Sequence, residues 1–140
     1  MADTVALDPD YILSAVLVNA QRLLGSSKRL RFRGYDFKLQ QVFHELLSNP
    51  DFPLLKAFVF SDSGPEPYSP ILNDSVSTLQ LGGLLGRQNP DYEILLLNPS
   101  AEAFFDEVLA KELSADQKAQ LEKIAQAFMQ KVDIISEQAA

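Results

Sequence analysis

Apolar and polar positions follow one another along the chain in short blocks, and the first block predicts a helix that is apolar on nearly every side. Asp8 followed by Pro9 is typical of an N-cap and a first helical residue. The pattern continues to Leu24 and stops at Gly25. Because this helix lacks a broad polar face, we expect it to be buried at the centre of the domain.

Two further elements are predicted before the middle of the chain. Leu30 and Phe32 alternate with charged residues, and this period of two predicts a short, half-exposed strand over residues 28–33. Between Asp36 and Ser48 the apolar residues recur at spacings of three and four, which predicts a second helix. An Asn-Pro pair then ends the helical pattern.

The middle of the chain is patterned less clearly. Residues 51–68 give mixed signals and include a loop rich in Ser, Gly and Pro. Residues 69–86 fit either a helix, capped by Asn73 or Asp74, or a strand. The apolar run over residues 92–97 follows a strong turn signal and predicts a buried strand.

Two helices are predicted at the C-terminal end. Asn98-Pro99 opens the first, and Ser114 with Gln117 forms a capping box for the second. The first has one apolar face, formed by Phe104, Phe105, Val108 and Leu109. The second has the most regular apolar stripe in the chain, formed by Leu121, Ile124, Ala125, Phe128, Val132 and Ile135.

The stripe of the last helix has two interpretations. Such a stripe packs on its own domain, or it pairs with a second copy of the chain across a two-fold axis. We favour the homodimer, because the elements before residue 99 suffice to close a core without the last two helices. The predicted interface residues are Leu121, Ile124, Phe128 and Val132.

The composition excludes several classes of function. A chain of 140 residues with 46% hydrophobic residues suits a single domain, residues 1–140, with a substantial core. The absence of cysteine excludes disulfides, thiolate metal sites and cysteine nucleophiles. His44 is the only histidine, and neither a nucleophile elbow nor a phosphate-binding loop is present. We therefore expect no metal, no cofactor and no enzymatic activity.

No targeting or membrane segment is predicted. The first residues lack a basic region, and the apolar stretch over residues 11–18 is interrupted by Ser14. We therefore expect a cytoplasmic protein that does not bind membranes.

Charge is distributed unevenly along the chain. Twelve Lys and Arg residues against nineteen Asp and Glu give a net charge of −7, which repels phosphate backbones and anionic membranes at long range. Residues 22–38 nevertheless hold six of the twelve cations, with Phe32 and Tyr35 between them. This island has three interpretations. It is solvent-exposed charge on an edge strand, a surface on which the acidic C-terminal helices pack, or a surface that contacts phosphates and nucleic acid.

The order of the elements and a local motif resemble the winged helix-turn-helix superfamily, in its bacterial phage-associated and antitoxin-like forms. The motif consists of Gly64-Pro65, Tyr68-Ser69 and the later Gly83-Leu84-Leu85. The resemblance covers roughly residues 8–98 and implies a mainly α domain with a small β wing (α+β). It also implies a recognition helix from about Pro70 to Leu85, with the C-terminal helical pair at residues 99–137 outside the resemblance.

Two functions follow from this resemblance, both without catalysis. The first is a transcriptional regulator or antitoxin-like protein that binds double-stranded DNA. Its side chains near bases would be Ser77, Thr78, Gln80 and Arg87, and those near phosphates would be Arg29, Arg31 and Arg33. The second is a protein-interaction module that uses the same scaffold to bind a partner protein. Net charge favours the partner protein, the element order favours DNA, and we prefer the DNA-binding regulator.

Overall fold

The computed structural model describes residues 7–25, 30–33, 38–61, 64, 67–87 and 94–132. These residues form a mainly helical fold with a small antiparallel sheet, as predicted. The helices are α1 (Pro9–Leu24), α2 (Lys38–Leu47), α3 (Pro70–Leu81), α4 (Pro99–Phe104), α5 (Ala110–Glu112) and α6 (Ala115–Lys131), and the strands are β1 (Arg31–Arg33), β2 (Leu85–Arg87) and β3 (Ile94–Leu97). A 3-10 turn (Pro53–Ala57) follows α2, and a π-helical segment (Phe105–Leu109) joins α4 to α5.

Helix α1 is the central helix, as its apolar sequence predicts. The Asp8 carboxylate accepts a hydrogen bond from the backbone N–H of Asp10 at 2.9 Å, and Gly25 ends the helix with a φ of 98°. Every residue over 12–18 is buried, and the helix packs against α3 and α6. Its burial therefore ties the N-terminal part of the chain to the C-terminal helices in one core.

The sheet has the strand order β1-β3-β2, with both pairs antiparallel. Phe32 is paired with Leu95, and both side chains are buried. Strand β3 confirms the predicted strand for Ile94–Leu97, whereas Tyr92 and Glu93 lie outside the described residues. Among the described strands, β1 stands at an edge, because it pairs only with β3 there.

Helix α3 resolves the ambiguous segment, but its ends differ from those expected. It begins at Pro70, and the Ser69 hydroxyl caps it by accepting from the Leu72 N–H at 3.1 Å, so neither Asn73 nor Asp74 is the cap. It ends at Leu81 rather than near Leu85. The chain turns sharply there, because Gly83 adopts a φ of 80°, which favours glycine. Leu85 instead begins β2.

The π-helical segment changes the apolar face predicted after Asn98. Phe105 and Leu109 are buried as expected, but Val108 is 36% exposed. A π-helical turn contains an additional residue, so residues after Phe105 are rotated from their α-helical positions. The local spacing alone therefore misplaces Val108.

Helix α6 corrects the predicted interface. The Ser114 and Gln117 capping box is present, with hydrogen bonds of 2.9 and 3.1 Å. Leu121, Ile124 and Phe128 are fully buried and Val132 is 7% exposed, within this single chain. These four residues belong to the core of the single chain, because α6 packs against α1 and α2. The homodimer itself stays a prediction, and Ile135 lies outside the described residues.

Ser14 provides a stability prediction. Its hydroxyl is buried in α1 and has no hydrogen-bond partner among the described residues. Because an unpartnered buried hydroxyl carries a desolvation penalty, we expect Ser14→Ala to leave the free energy of unfolding unchanged or to raise it by up to about 1 kcal/mol. Urea unfolding measures this change, with the exposed Ser77→Ala on α3 as control. A loss above about 1 kcal/mol would show that the hydroxyl has a partner.

Candidate functional site

The exposed side of α3 is the candidate functional surface. The opposite side packs on the core through Leu72, Ser75 and Leu79. The exposed residues recur at spacings of three and four, so they form one continuous row along the helix. We call this row the α3 stripe, and it consists of Pro70, Asn73, Asp74, Ser77, Thr78 and Leu81.

The α3 stripe is polar but carries no positive charge. Asp74 is its only charged residue, and Asn73, Ser77 and Thr78 supply neutral donors and acceptors. Leu81 stands at the C-terminal end of the stripe and is 90% exposed, the highest value among the large hydrophobic residues that the structure describes. The surface therefore combines an anion, neutral hydrogen-bonding groups and an exposed apolar side chain.

A buried glutamine holds the beginning of α3. The Gln40 Oε1 accepts from the Ser69 N–H at 2.7 Å, and its Nε2 donates to the Ser69 carbonyl at 3.1 Å. Ser69 is in turn the N-cap of α3, so this pair fixes the start of the helix against α2. Sequence reasoning missed Gln40, although its place among the apolar residues of α2 was a signal of burial.

Hydrogen bonds from a later part of the chain hold the turn that follows α3. The Gly83 carbonyl accepts hydrogen bonds from the Asn98 side-chain amide at 2.9 Å and from the Ser100 hydroxyl at 2.8 Å. Both donors lie at the start of α4. The two anchors fix α3 at both ends, and the α3 stripe is therefore presented on a rigid element.

The residues predicted to lie near bases are only partly brought together. Ser77 and Thr78 are exposed in the α3 stripe, whereas Gln80 is partly buried and lies outside it. Arg87 belongs to β2, opposite Leu95, and its side chain lies outside the described part of the structure. The structure thus supports exposure for two of the four residues.

The residues predicted to lie near phosphates are in or before β1. Arg31 pairs with Leu96 and is partly buried. Arg33 pairs with Ile94, but its side chain is outside the described part, as is the whole of Arg29. Arg31 and Arg33 flank Phe32 along β1, so their register positions alternate with it. Arg87 is at the register position opposite Leu95, in the row that also contains Phe32.

Part of the basic island faces the acidic C-terminal helices. One Nη of Arg22 donates to both carboxylate oxygens of Asp106 at 2.9 and 3.0 Å, and its Nε lies 3.9 Å from Glu102. For Arg22, this geometry favours the interpretation of the island as a surface on which those helices pack. It removes one cation from those predicted to be available to an external ligand.

Other chemistry-bearing groups have local partners. The His44 ring lies edge-on to Phe60, with 5.1 Å between ring centroids.

Among the described residues, no group of three or more His, Asp or Glu side chains is placed to hold a metal ion. No helix in this part of the chain is both long and apolar enough to cross a bilayer.

Comparison with known proteins identifies no relative: no family model, no curated protein and no solved structure matches the chain. The chemistry of the α3 stripe is therefore interpreted from its own residues.

Proposed function

We propose that this protein is a non-catalytic domain of winged-helix type that binds a partner protein through the α3 stripe. The observation that carries the proposal is the exposed Leu81 beside a row of neutral and acidic residues without a single Lys or Arg. Protein-binding surfaces combine apolar and polar contacts, whereas nucleic-acid affinity depends mainly on phosphate contacts from cations, which α3 does not supply.

The topology supports the winged-helix part of the proposal. One helix, one strand, two helices and a strand pair follow one another in the order α1, β1, α2, α3, β2, β3. The returning strand β3 lies between β1 and β2, which joins the strand pair to the strand near the N-terminus. In such a domain α3 occupies the position of the recognition helix. The lack of cysteine fits a cytoplasmic location, which we include in the proposal.

The partner is expected to be basic and to have an apolar pocket. Asp74 adds a local negative charge to a protein whose net charge is −7, and a basic surface would be attracted to both. Leu81 would enter the apolar pocket at one end of the contact, and the hydroxyls of Ser77 and Thr78 would provide hydrogen bonds beside it.

Double-stranded DNA is the second candidate ligand. The element order and the exposure of Ser77 and Thr78 favour it, because hydroxyl side chains on a recognition helix reach base edges. The cations of β1 and the neighbouring segment would then contact phosphates. DNA ranks second, because α3 itself supplies no cation and the net charge opposes approach to DNA.

Site-specific crosslinking followed by affinity measurement tests the partner protein. A photoreactive amino acid at Thr78 should capture the partner, whereas one at the exposed Lys123 of α6 should not. We then expect Leu81→Asp to weaken binding of the purified partner by about tenfold or more, since a charge would enter an apolar pocket. The matched control is Val59→Asp, because Val59 is also exposed, at 62%, and lies outside α3.

Two outcomes would contradict this proposal. Equal crosslinking from Thr78 and Lys123 would show that α3 is not the contact surface. Equal affinity of Leu81→Asp and Val59→Asp for the purified partner would remove Leu81 from the interface.

A further inference from the structure

A groove separate from the α3 stripe lies between α1, α6 and the segment that joins α4 to α6. Its volume is about 460 Å³, which is in the range of small-molecule sites. Phe105 and Leu113 line it and are nearly buried, so they form an apolar floor together with Ala110. One wall includes the π-helical segment, a geometry that is often found at functional sites.

The wall formed by α6 presents two opposite charges. Lys118, Glu122 and Gln126 line the groove at successive intervals of four residues, so they follow one face of the helix. Lys118 and Glu122 make no ion pair with each other or with any other residue in the described part of the chain. A Lys four residues before a Glu is the weaker order for such a pair, which is consistent with their separation. Both charges are therefore available to a ligand.

The other charged residues of the groove are already engaged. Arg22 binds the Asp106 carboxylate through two contacts of 2.9 and 3.0 Å, and its guanidinium carbon lies 5.2 Å from the centre of the Phe105 ring. The charges of Arg22 and Asp106 offset each other at this end of the groove. Counting Arg22 and Lys118 against Asp106 and Glu122, the lining is neutral.

Charge and spacing together define the ligand. A zwitterion pairs with both Lys118 and Glu122, whereas a simple anion or a simple cation pairs with only one of them. Side chains four residues apart on a helix are separated by about 5–6 Å at their Cβ atoms. Two extended residues span at most about 7 Å, so the charges of a dipeptide are separated by a distance similar to that spacing. The charges of a single amino acid are separated by less than one residue length, which is shorter than that spacing.

We propose that the groove binds a dipeptide-length zwitterion with apolar side chains. Its carboxylate lies at Lys118, its ammonium group lies at Glu122, and its side chains rest on the floor of Phe105, Ala110 and Leu113. This small-molecule site uses none of the residues of the α3 stripe.

Titration of the full chain with leucyl-leucine, followed by calorimetry and amide NMR shifts, tests the site. We expect saturable binding at or below about 1 mM, with shifts at Ala110, Leu113 and Gln126. Lys118→Gln and Glu122→Gln should each weaken binding about fivefold, since each removes one partly exposed ion pair. Lys123→Gln and Glu107→Gln make the same charge changes at exposed positions outside the groove, and they should bind as the unchanged chain does.

Two related probes test the ligand class. Leucyl-leucine with an acetylated amine and an amidated carboxylate lacks both charges and should bind about tenfold more weakly or not at all. Free leucine holds its two charges closer together than the two charges of the dipeptide and should also bind more weakly. The proposal is overturned if leucyl-leucine gives no saturable shift up to about 10 mM, if the blocked dipeptide binds as tightly, or if neither charge variant changes the affinity.

Discussion

Phe128→Ala is expected to lower the free energy of unfolding by about 3–5 kcal/mol, because it removes a fully buried ring at the meeting point of three elements. The Phe128 ring lies edge-on to Phe32 of β1, with 5.6 Å between centroids, and to Phe43 of α2, at 5.9 Å. Such a loss is a large part of the 5–15 kcal/mol typical of a folded domain. Urea unfolding monitored by circular dichroism measures it.

The same experiment separates a core from an interface. Phe60→Ala is the control, because this partly buried ring contacts His44 at the edge of the core and its loss should cost less than about 2 kcal/mol. If Phe128 were an interface residue, its replacement would dissociate a dimer and leave the monomer as stable as before. If light scattering showed dissociation and urea unfolding were unchanged, the apolar stripe of α6 would be an interface and not part of the core.

Gln40→Leu is expected to lower the free energy of unfolding by about 1–3 kcal/mol, although it replaces a polar side chain with an apolar one of similar size. The reason is the Ser69 N–H, which donates to Gln40 at 2.7 Å and would be left buried without an acceptor. The Ser69 carbonyl would lose one of its two donors and keep the Asn73 N–H at 3.2 Å. We also expect faster hydrogen exchange in the first turn of α3.

Gln130→Leu is the matched control for this prediction. Gln130 is exposed on α6, and its replacement should change the free energy of unfolding by less than about 0.5 kcal/mol. Equal stability of the two variants would mean that the buried pair contributes nothing to the position of α3. If Gln40→Leu unfolded at the same urea concentration as the unchanged chain but bound the partner more weakly, the Gln40–Ser69 pair would serve partner binding and not stability.

Local signals predicted the elements whose ends depend on adjacent residues. The Asp8 cap, the Pro9 start and the Gly25 stop defined α1, and the Ser114 capping box defined the start of α6. At these helix ends the hydrogen bonds join residues two to four positions apart, so adjacent residues alone determine where the helix begins or ends.

Elements that depend on distant contacts were predicted less well. Helix α3 ends at Leu81 because the Gly83 turn is held by Asn98 and Ser100, which are 15 and 17 positions away. The apolar stripe of α6 was detected correctly, but periodicity does not state what covers a stripe. The covering elements are α1 and α2, far earlier in the chain, so the four residues predicted to form an interface lie in the core of the single chain.

The candidate site was also predicted in part. Ser77 and Thr78 were identified from the resemblance and are exposed as a binding role requires, whereas Gln80 is not in the same row. Leu81 was not identified from the sequence, because an apolar residue at a helical spacing is ordinarily assigned to a core. Its exposure depends on where the helix ends, and that end is determined by tertiary contacts.

The choice between a partner protein and nucleic acid is tested most directly by titrating the full chain with mixed-sequence duplex DNA. The titration is done at about 20 mM and about 200 mM salt, where phosphate contacts differ most in strength. We predict no measurable binding at either concentration, since α3 carries no cation and the net charge is −7. Binding at low salt that weakens steeply at high salt, and is reduced by Arg31→Ala, would contradict the proposal and identify a DNA-binding protein.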